Sequence, residues 1–451
     1  MDIEIFPSKL NGSLQAVSSK SDVHRALICA AFADAPTEIC CNLLSKDIEA
    51  TARCLSAAGA DIKLEIDSKE GSGTISVKPA APHDTDTSAV LTDTDRMTAF
   101  FCGESGSTLR FLVPVMAALG LKAYFTGAGE LPNRPMDALI SLLRTHRVCV
   151  DCMGARDGEA LPLQLSGKLL GGLFALPGNI SSQYITGLLL AFPLIGERSE
   201  IRLTTELQSA AYVDMTLDTM SRFGISIEKT KQGYIYLPEK EARRDKLPYR
   251  SPGKYSSDGD WSNAAFWLCA GCLTGNSISV EGLRSNSLQG DRAILDILRM
   301  FDRSNILKTS GQAQYAPRVI DASGIPDLIP AVAALAAVVP GTTEIIHAGR
   351  LRLKECDRLS ALCDVLGKMG AGIEEHPEGL TIQGAGDEGL CGGCEVSGHN
   401  DHRIVMAAAI AASACRESVL IRGAQAVQKS YPHFFSDFQK LGGKTDVIDV
   451  R

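Results

Sequence analysis

The sequence predicts an α/β protein of two domains, each built from three βαββαβ units whose first helix is buried. Three observations carry that expectation. The chain has 451 residues, more than one hydrophobic core usually organises. An Ala- and Leu-rich run, followed by a turn and a β-like segment, recurs six times along it. Between successive runs lies an amphipathic segment that ends near a glycine and passes into period-two alternation, the mark of a helix followed by a strand.

The six runs start at Arg25 (RALICAAFADAPTEI), Arg110 (RFLVPVMAALGLKAYFTG), Gln183 (QYITGLLLAFPLIGERSEIRL), Asn263 (NAAFWLCAGCLTGNSISVEGL), Asp327 (DLIPAVAALAAVVPGTTEII) and His402 (HRIVMAAAIAASACRESVLIRG). Their spacing of about 65 to 85 residues is too long for common solenoid units. Each run is apolar nearly all round, so its helix belongs inside a domain, and segments such as DIEATARCLSAAGADIKLEI and DRLSALCDVLGKMGAGIEEHPEGLTI supply the helix that covers it. Pro, Gly and Ser in KLPYRSPGKYSSDGDWS mark one crossover between domains, and SSKSD at 18–22 marks another. If the first strand joins the last three units, residues 1–17 and 258–451 form a discontinuous domain and 18–257 a continuous one. The active site is then expected in the cleft, with a two-stranded hinge that permits closure around ligands.

Composition narrows the function. Apolar residues at 45% and charged residues at 22% are ordinary for a globular chain. The start MDIEIFPSKL lacks the basic region and apolar run of a secretory signal. Stretches such as LIPAVAALAAVV fall short of the roughly 20 residues a membrane span needs. A cytoplasmic chain without membrane partner is therefore expected. A net charge of −8 disfavours nucleic acid, so any anion site is local. The fourteen cysteines are scattered, and read as reduced thiols. Three C-x-x-C pairs occur, at Cys149 and Cys152, Cys269 and Cys272, and Cys391 and Cys394, but no histidine pair accompanies them. Buried small hydrophobes are the expectation there, and no metal.

The polar chemistry sits just before the apolar runs, where free backbone N–H groups and the helix dipole favour anions. The clusters are Ser19-Lys20-Ser21 through Arg25; Gly103 through Thr108 with Arg110; Ser181-Ser182-Gln183; Asp260 through Asn263; Ile325-Pro326-Asp327; and Asn400-Asp401-His402-Arg403. Arg134, Lys354, Arg358 and Lys429 add further charge. Taken singly, each cluster reads as a helix cap, and Asp357 with Arg358 or Asp401 with Arg403 as a local ion pair. A basic residue beside nearly every run in an acidic chain instead points to small substrates carrying phosphate and carboxylate groups. No G-x-x-x-x-G-K-[ST] loop is present.

At SKSDVHR, ESGSTLR, LPNRPMD, GNISSQY, QSAAY, GDWSNAAFW, QGD, IPD, LKECDRL, NDHR and QKSYP the chain resembles, end to end and in order, the 5-enolpyruvylshikimate-3-phosphate synthase family of enolpyruvyl transferases. The resemblance implies a two-domain inside-out α/β barrel with buried parallel helices. It also implies transfer of the enolpyruvyl group of phosphoenolpyruvate to the 5-hydroxyl of shikimate 3-phosphate, within the shikimate pathway that leads to chorismate and the aromatic amino acids. Shikimate 3-phosphate is expected at Lys20, Ser21, Arg25, Ser181, Ser182, Gln183, Ser209, Tyr212, Asp327 and Lys354. Phosphoenolpyruvate is expected at Lys20, Gly106, Arg134, Gln183, Arg358, Arg403 and Lys429. Asp327 is the expected base at the 5-hydroxyl, and Glu355 the proton donor at C3, with Lys20 and His402 as alternatives. The resemblance calls for no metal or organic cofactor, makes a monomer the expected state, and makes glyphosate an expected inhibitor.

Three positions depart from the family pattern. Glu104 stands where a neutral Asn is usual, Ser107 where Thr is usual, and Arg350 where a neutral amide is more frequent. A related reading, the cell-wall transferase that uses UDP-N-acetylglucosamine, would place a cysteine in the loop GAGELPNRPMD, which has none. A catalytically dead small-anion-binding module on the same fold is the reading from another class, and intact Lys20, Asp327, Glu355, Arg358 and Arg403 argue against it.

Overall fold

The computed structural model describes residues 1–67, 72–80, 97–154, 156, 158–238, 247–302, 306–309 and 312–448. The chain divides into two compact units, one of Met1–Val17 with Gly259–Arg451 and one of Ser18–Asp258. Lys246, the first residue of the crossover stretch, lies outside the described residues. Within Ser18–Asp258 the helices are α1 (Lys20–Ala31), α2 (Lys46–Ala57), α3 (Gly106–Leu119), α4 (Asp137–Thr145), α5 (Ser182–Ile195) and α6 (Ala210–Arg222). The other unit holds α7 (Trp261–Gly271), α8 (Ile294–Met300), α9 (Ile329–Val338), α10 (Arg358–Lys368), α11 (His402–Ser413) and α12 (Phe434–Lys440).

The odd-numbered helices are the six apolar runs. In α9 every residue from Ile329 to Ala337 is buried, and in α11 every residue from His402 to Ser413. Such a helix has no polar face to show water, so it forms only where neighbours cover all its sides. Each fully buried Leu, Ile or Val contributes about 1.5–3 kcal/mol, and truncating one to alanine costs about 2–5 kcal/mol. The long run of α3 stops where Gly120 takes a left-handed φ of 74° that closes the helix end. The even-numbered helices are one-sided: α10 buries Arg358, Leu359, Ala361, Leu362, Val365 and Leu366, two adjacent residues per turn.

The sheets repeat one plan. Thr98–Phe101, Ala123–Thr126, Leu163–Ser166 and Cys149–Cys152 lie in that order, the first pair parallel and the rest antiparallel. The same plan holds from Gly172 to Tyr236 and from Arg318 to Gly384. Two further sheets are completed from a distance: Lys254–Ser256 pairs with Thr37–Cys40, and Asp2–Phe6 inserts between Val419–Arg422 and Lys444–Ile448.

The order inside a unit differs from expectation. It runs βαβαββ, with one strand between the two helices instead of two. After the strand Ala123–Thr126 the chain enters GAGELPNRPMD, whose glycines and prolines form a loop and a short 3-10 turn at Leu131–Asn133 that cannot pair as a strand. A parallel pair needs a helical crossover between its strands, which the buried helix supplies.

Candidate active site

In the Ser18–Asp258 unit, Lys20 opens α1 and its Nζ lies 2.8 Å from Asp47 Oδ2 near the start of α2. Arg25, one turn further, donates from Nε to Thr216 Oγ1 and from a terminal nitrogen to the Tyr212 carbonyl, both at 2.8 Å and both on α6. Its other terminal nitrogen donates to the Ser21 carbonyl, and the Phe111 ring lies beneath it. Burial lowers this guanidinium to about 10, so it is charged at neutral pH. These contacts bring Lys20, Ser21, Arg25 and Tyr212 together.

A second group gathers at α3 and α5. Arg110 donates to Gln183 Oε1 at 2.7 Å and to the Pro135 carbonyl at 2.8 Å, and Gln183 Nε2 donates to Ser107 Oγ at 3.0 Å. Gly106 lies against Arg134: a Cβ there would come within 2.7 Å of the guanidinium, which would have to shift. Ser181 caps α5, accepting from the Gln183 amide, and both Ser181 and Ser182 are buried. Ser209 precedes α6 in a left-handed conformation, φ 56°, at an order-of-magnitude cost of about 1–3 kcal/mol that marks a position held by its surroundings. The carboxyl of Glu104 folds over Gly129 in the loop that carries Arg134.

In the other unit, Arg358 is only 1% exposed and divides its nitrogens among three acids. Nε donates to Asp401 at 2.8 Å, NH2 to Glu355 at 2.7 Å and NH1 to Asp327 at 2.9 Å. Asp327 also lies 3.3 Å from Lys354 Nζ and 3.5 Å from an Arg403 nitrogen, and its carbonyl accepts from Arg403. Burial lowers the Lys354 ammonium to about 8 despite Asp327 beside it. Lys429 donates to the Asn400 carbonyl in the loop before α11. Arg350 belongs to the 3-10 turn Gly349–Leu353, and its charge adds to the lowering at Lys354. His402 Nδ1 lies 3.7 Å from Asp401 Oδ1.

The local ion pairs weighed from sequence are not the ones formed. Asp357 caps α10 and pairs with Arg352 at 2.7 Å, and Asp401 caps α11 through the Arg403 amide while its charge goes to Arg358. Four acids had no assigned role. Asp401 and Asp47 hold the cations just named. Asp22 accepts from the Tyr255 hydroxyl and the Asp258 amide. Asp291 accepts from Ser262, and burial together with the charge of Asp327 raises it to about 6. SKSDVHR, QGD and NDHR contain three of them, Asp22, Asp291 and Asp401, without showing their partners, because pairings across tens of residues leave no local pattern. The C-x-x-C reading needs correction as well: Cys269 is buried, but Cys149, Cys152, Cys272 and Cys391 are exposed. Among the described residues no group of three or more His, Cys, Asp or Glu is arranged to hold a metal ion, and no helix is long and apolar enough to cross a membrane.

A family model described as EPSP synthase (3-phosphoshikimate 1-carboxyvinyltransferase) matches residues 6–438. The chain is 41% identical over 443 residues to the 3-phosphoshikimate 1-carboxyvinyltransferase of Clostridium acetobutylicum, covering 98% of this chain and 97% of that one. It is 40% identical to the enzyme of the same name from Clostridium beijerinckii, covering 100% and 99%. Among solved structures, the EPSP synthase of Acinetobacter baumannii superposes with a TM-score of 0.74 at 22% identity, over 99% of this chain and 100% of that one. The enolpyruvyl transferase NikO of Streptomyces tendae does so with a TM-score of 0.71 at 17% identity, over 99% and 98%. These two likenesses speak for the fold.

Proposed function

The chain belongs to the EPSP synthase family, and we infer that it transfers the enolpyruvyl group of phosphoenolpyruvate to the 5-hydroxyl of shikimate 3-phosphate, releasing phosphate. One observation supports the chemistry most: Asp327 and Glu355, the base and acid candidates, sit on the two terminal nitrogens of one buried guanidinium, at 2.9 and 2.7 Å. Cations around a carboxylate keep it ionised, as a base at a hydroxyl needs.

In this reading the 5-hydroxyl oxygen attacks C2 of phosphoenolpyruvate while Asp327 takes its proton. In its protonated form Glu355 protonates C3, which becomes methyl, with Lys20 and His402 as alternative donors. The adduct then loses phosphate as C3 returns its proton to the donor, the proton held by Asp327 leaves with the phosphate, and the cations stabilise the charge that moves. Ser181, Ser182, Ser209 and Arg25 take the phosphate side of shikimate 3-phosphate, with Tyr212, Ser21 and Lys354 around it. Lys20 and Gln183 serve both substrates, Gly106, Arg134 and Lys429 the phosphate of phosphoenolpyruvate, and Arg358 with Arg403 its carboxylate. Asp327 already holds those two arginines, so the incoming carboxylate competes with Asp327 and releases it toward the hydroxyl.

The same reading makes the enzyme a cytoplasmic monomer that needs no metal or organic cofactor. Sedimentation of the purified chain tests the first, and full rate after exhaustive chelation the second. The reaction is tested by phosphate release from phosphoenolpyruvate with shikimate 3-phosphate beside UDP-N-acetylglucosamine. Release with shikimate 3-phosphate alone supports the reading. Release only with the nucleotide sugar, or with neither, overturns it.

A further inference from the structure

We propose that His24, protonated on Nδ1, is a positioning residue that sets the first turn of α3 through a one-way hydrogen-bond chain. The chain runs from His24 on α1 to Thr51 on α2, then to Thr108 and Ser105 at the start of α3. All four side chains are buried. His24 Nδ1 lies 2.7 Å from Thr51 Oγ1, and Thr51 Oγ1 lies 2.7 Å from Thr108 Oγ1. Thr108 Oγ1 donates to Ser105 Oγ at 2.8 Å.

The direction follows from counting protons. A hydroxyl has one to give. Thr108 gives its proton to Ser105, so the proton between the two threonines comes from Thr51. Thr51 then has none left and accepts from the imidazole, which places the hydrogen of His24 on Nδ1. The ring is neutral, because burial first and the charges of Lys20 and Arg25 next push its protonation well below the usual imidazole range. Its Nε2 is a buried acceptor with no hydrogen-bond partner among the described residues, a place where a protonated ring would bury an unsatisfied donor.

At the far end, Ser105 Oγ accepts from the Thr108 amide at 3.2 Å as well as from its hydroxyl. Both lone pairs are thereby used, and the cap of α3 is fixed. The turn so fixed carries Gly106, which lies against Arg134, and Ser107, which holds Gln183. His24 thus acts on phosphoenolpyruvate binding without touching it, an inference that rests on the assignments proposed above.

Two readouts test this. In protein labelled with 15N-histidine, the His24 resonances, identified by their loss in His24→Asn, are expected to show the neutral Nδ1–H tautomer at neutral pH. The Nε2–H tautomer or an imidazolium would overturn the proposal. Kinetically, Thr51→Val is expected to raise KM for phosphoenolpyruvate about fivefold, the factor one ordinary hydrogen bond carries. KM for shikimate 3-phosphate rises less, since Gln183 alone carries the effect to that substrate, and Thr51→Ser restores the wild-type value. An unchanged KM for phosphoenolpyruvate, or an equal rise for both substrates, would contradict it. Absence of any transfer by the wild-type enzyme would sink the proposed function while the tautomer measurement still decides the role of His24.

Discussion

In the Ser18–Asp258 unit, Arg25 and Arg110 donate to hydroxyl, amide and carbonyl oxygens, whereas in the other unit Arg358 gives its nitrogens to three carboxylates. Neutral oxygens orient a guanidinium without cancelling its charge, which leaves it able to receive a phosphate. Carboxylates cancel the charge, and in return the guanidinium aims the acids and keeps Asp327 ionised. The first arrangement suits binding of a polyanion and the second suits moving protons.

The sharpest way to break this comparison is to remove one arginine from each unit. Arg358→Met strands Asp401, which is 0% exposed, and is expected to cost about 3–5 kcal/mol in urea unfolding. Arg25→Met strands neutral hydrogen-bond acceptors and removes one of the cations that act on buried Asp22, and is expected to cost about 1–3 kcal/mol. Equal losses would mean that the carboxylates around Arg358 are not what distinguishes the units.

Asp327→Asn keeps the shape of the acidic cluster while removing its base. It is expected to lower kcat by roughly 10²–10⁴-fold with a smaller effect on either KM. An unchanged kcat would move the base elsewhere, Glu355 being the first place to look. Lys20→Met is expected to raise KM for both substrates roughly 10- to 100-fold, the factor for a hydrogen bond to a charged group, while the protein stays folded. A rise for one substrate alone would end the shared role of Lys20.

The six buried helices were legible because a helix covered on all sides must be apolar on all sides, and no other soluble element writes ten apolar residues in a row as α9 does. The basic residues ahead of the helices were legible for a related reason: a charge beside a buried helix needs a purpose. The strand order was not legible, because the single strand Ala123–Thr126 and the loop after it alternate too briefly to separate by period. Nor were the partners of Lys20 and Arg358 legible. Asp47 and Asp401 lie 27 and 43 residues away, and only the folded chain brings them near.

The smallest expected effect is a pH dependence. The Lys354 ammonium, lowered to about 8 by burial, is charged below that pH and neutral above it. KM for shikimate 3-phosphate should therefore rise as pH passes upward through 8, and Lys354→Met should flatten that rise. Stability carries the opposite sign. The folded-state value lies below the ordinary 10.5, so burying the charge costs stability below pH 8, and that cost is relieved between 8 and 10.5. A KM that is flat across pH 8 in the wild type would mean that Lys354 does not hold the substrate.

Phosphate release alone does not separate transfer from hydrolysis, so the most direct measurement is product identity by 1H and 31P NMR in a mixture of phosphoenolpyruvate, shikimate 3-phosphate and enzyme. Enolpyruvyl transfer predicts vinyl protons on an enol ether at the 5-position, with inorganic phosphate appearing in equal amount. Pyruvate with inorganic phosphate, or unchanged substrates, would contradict it.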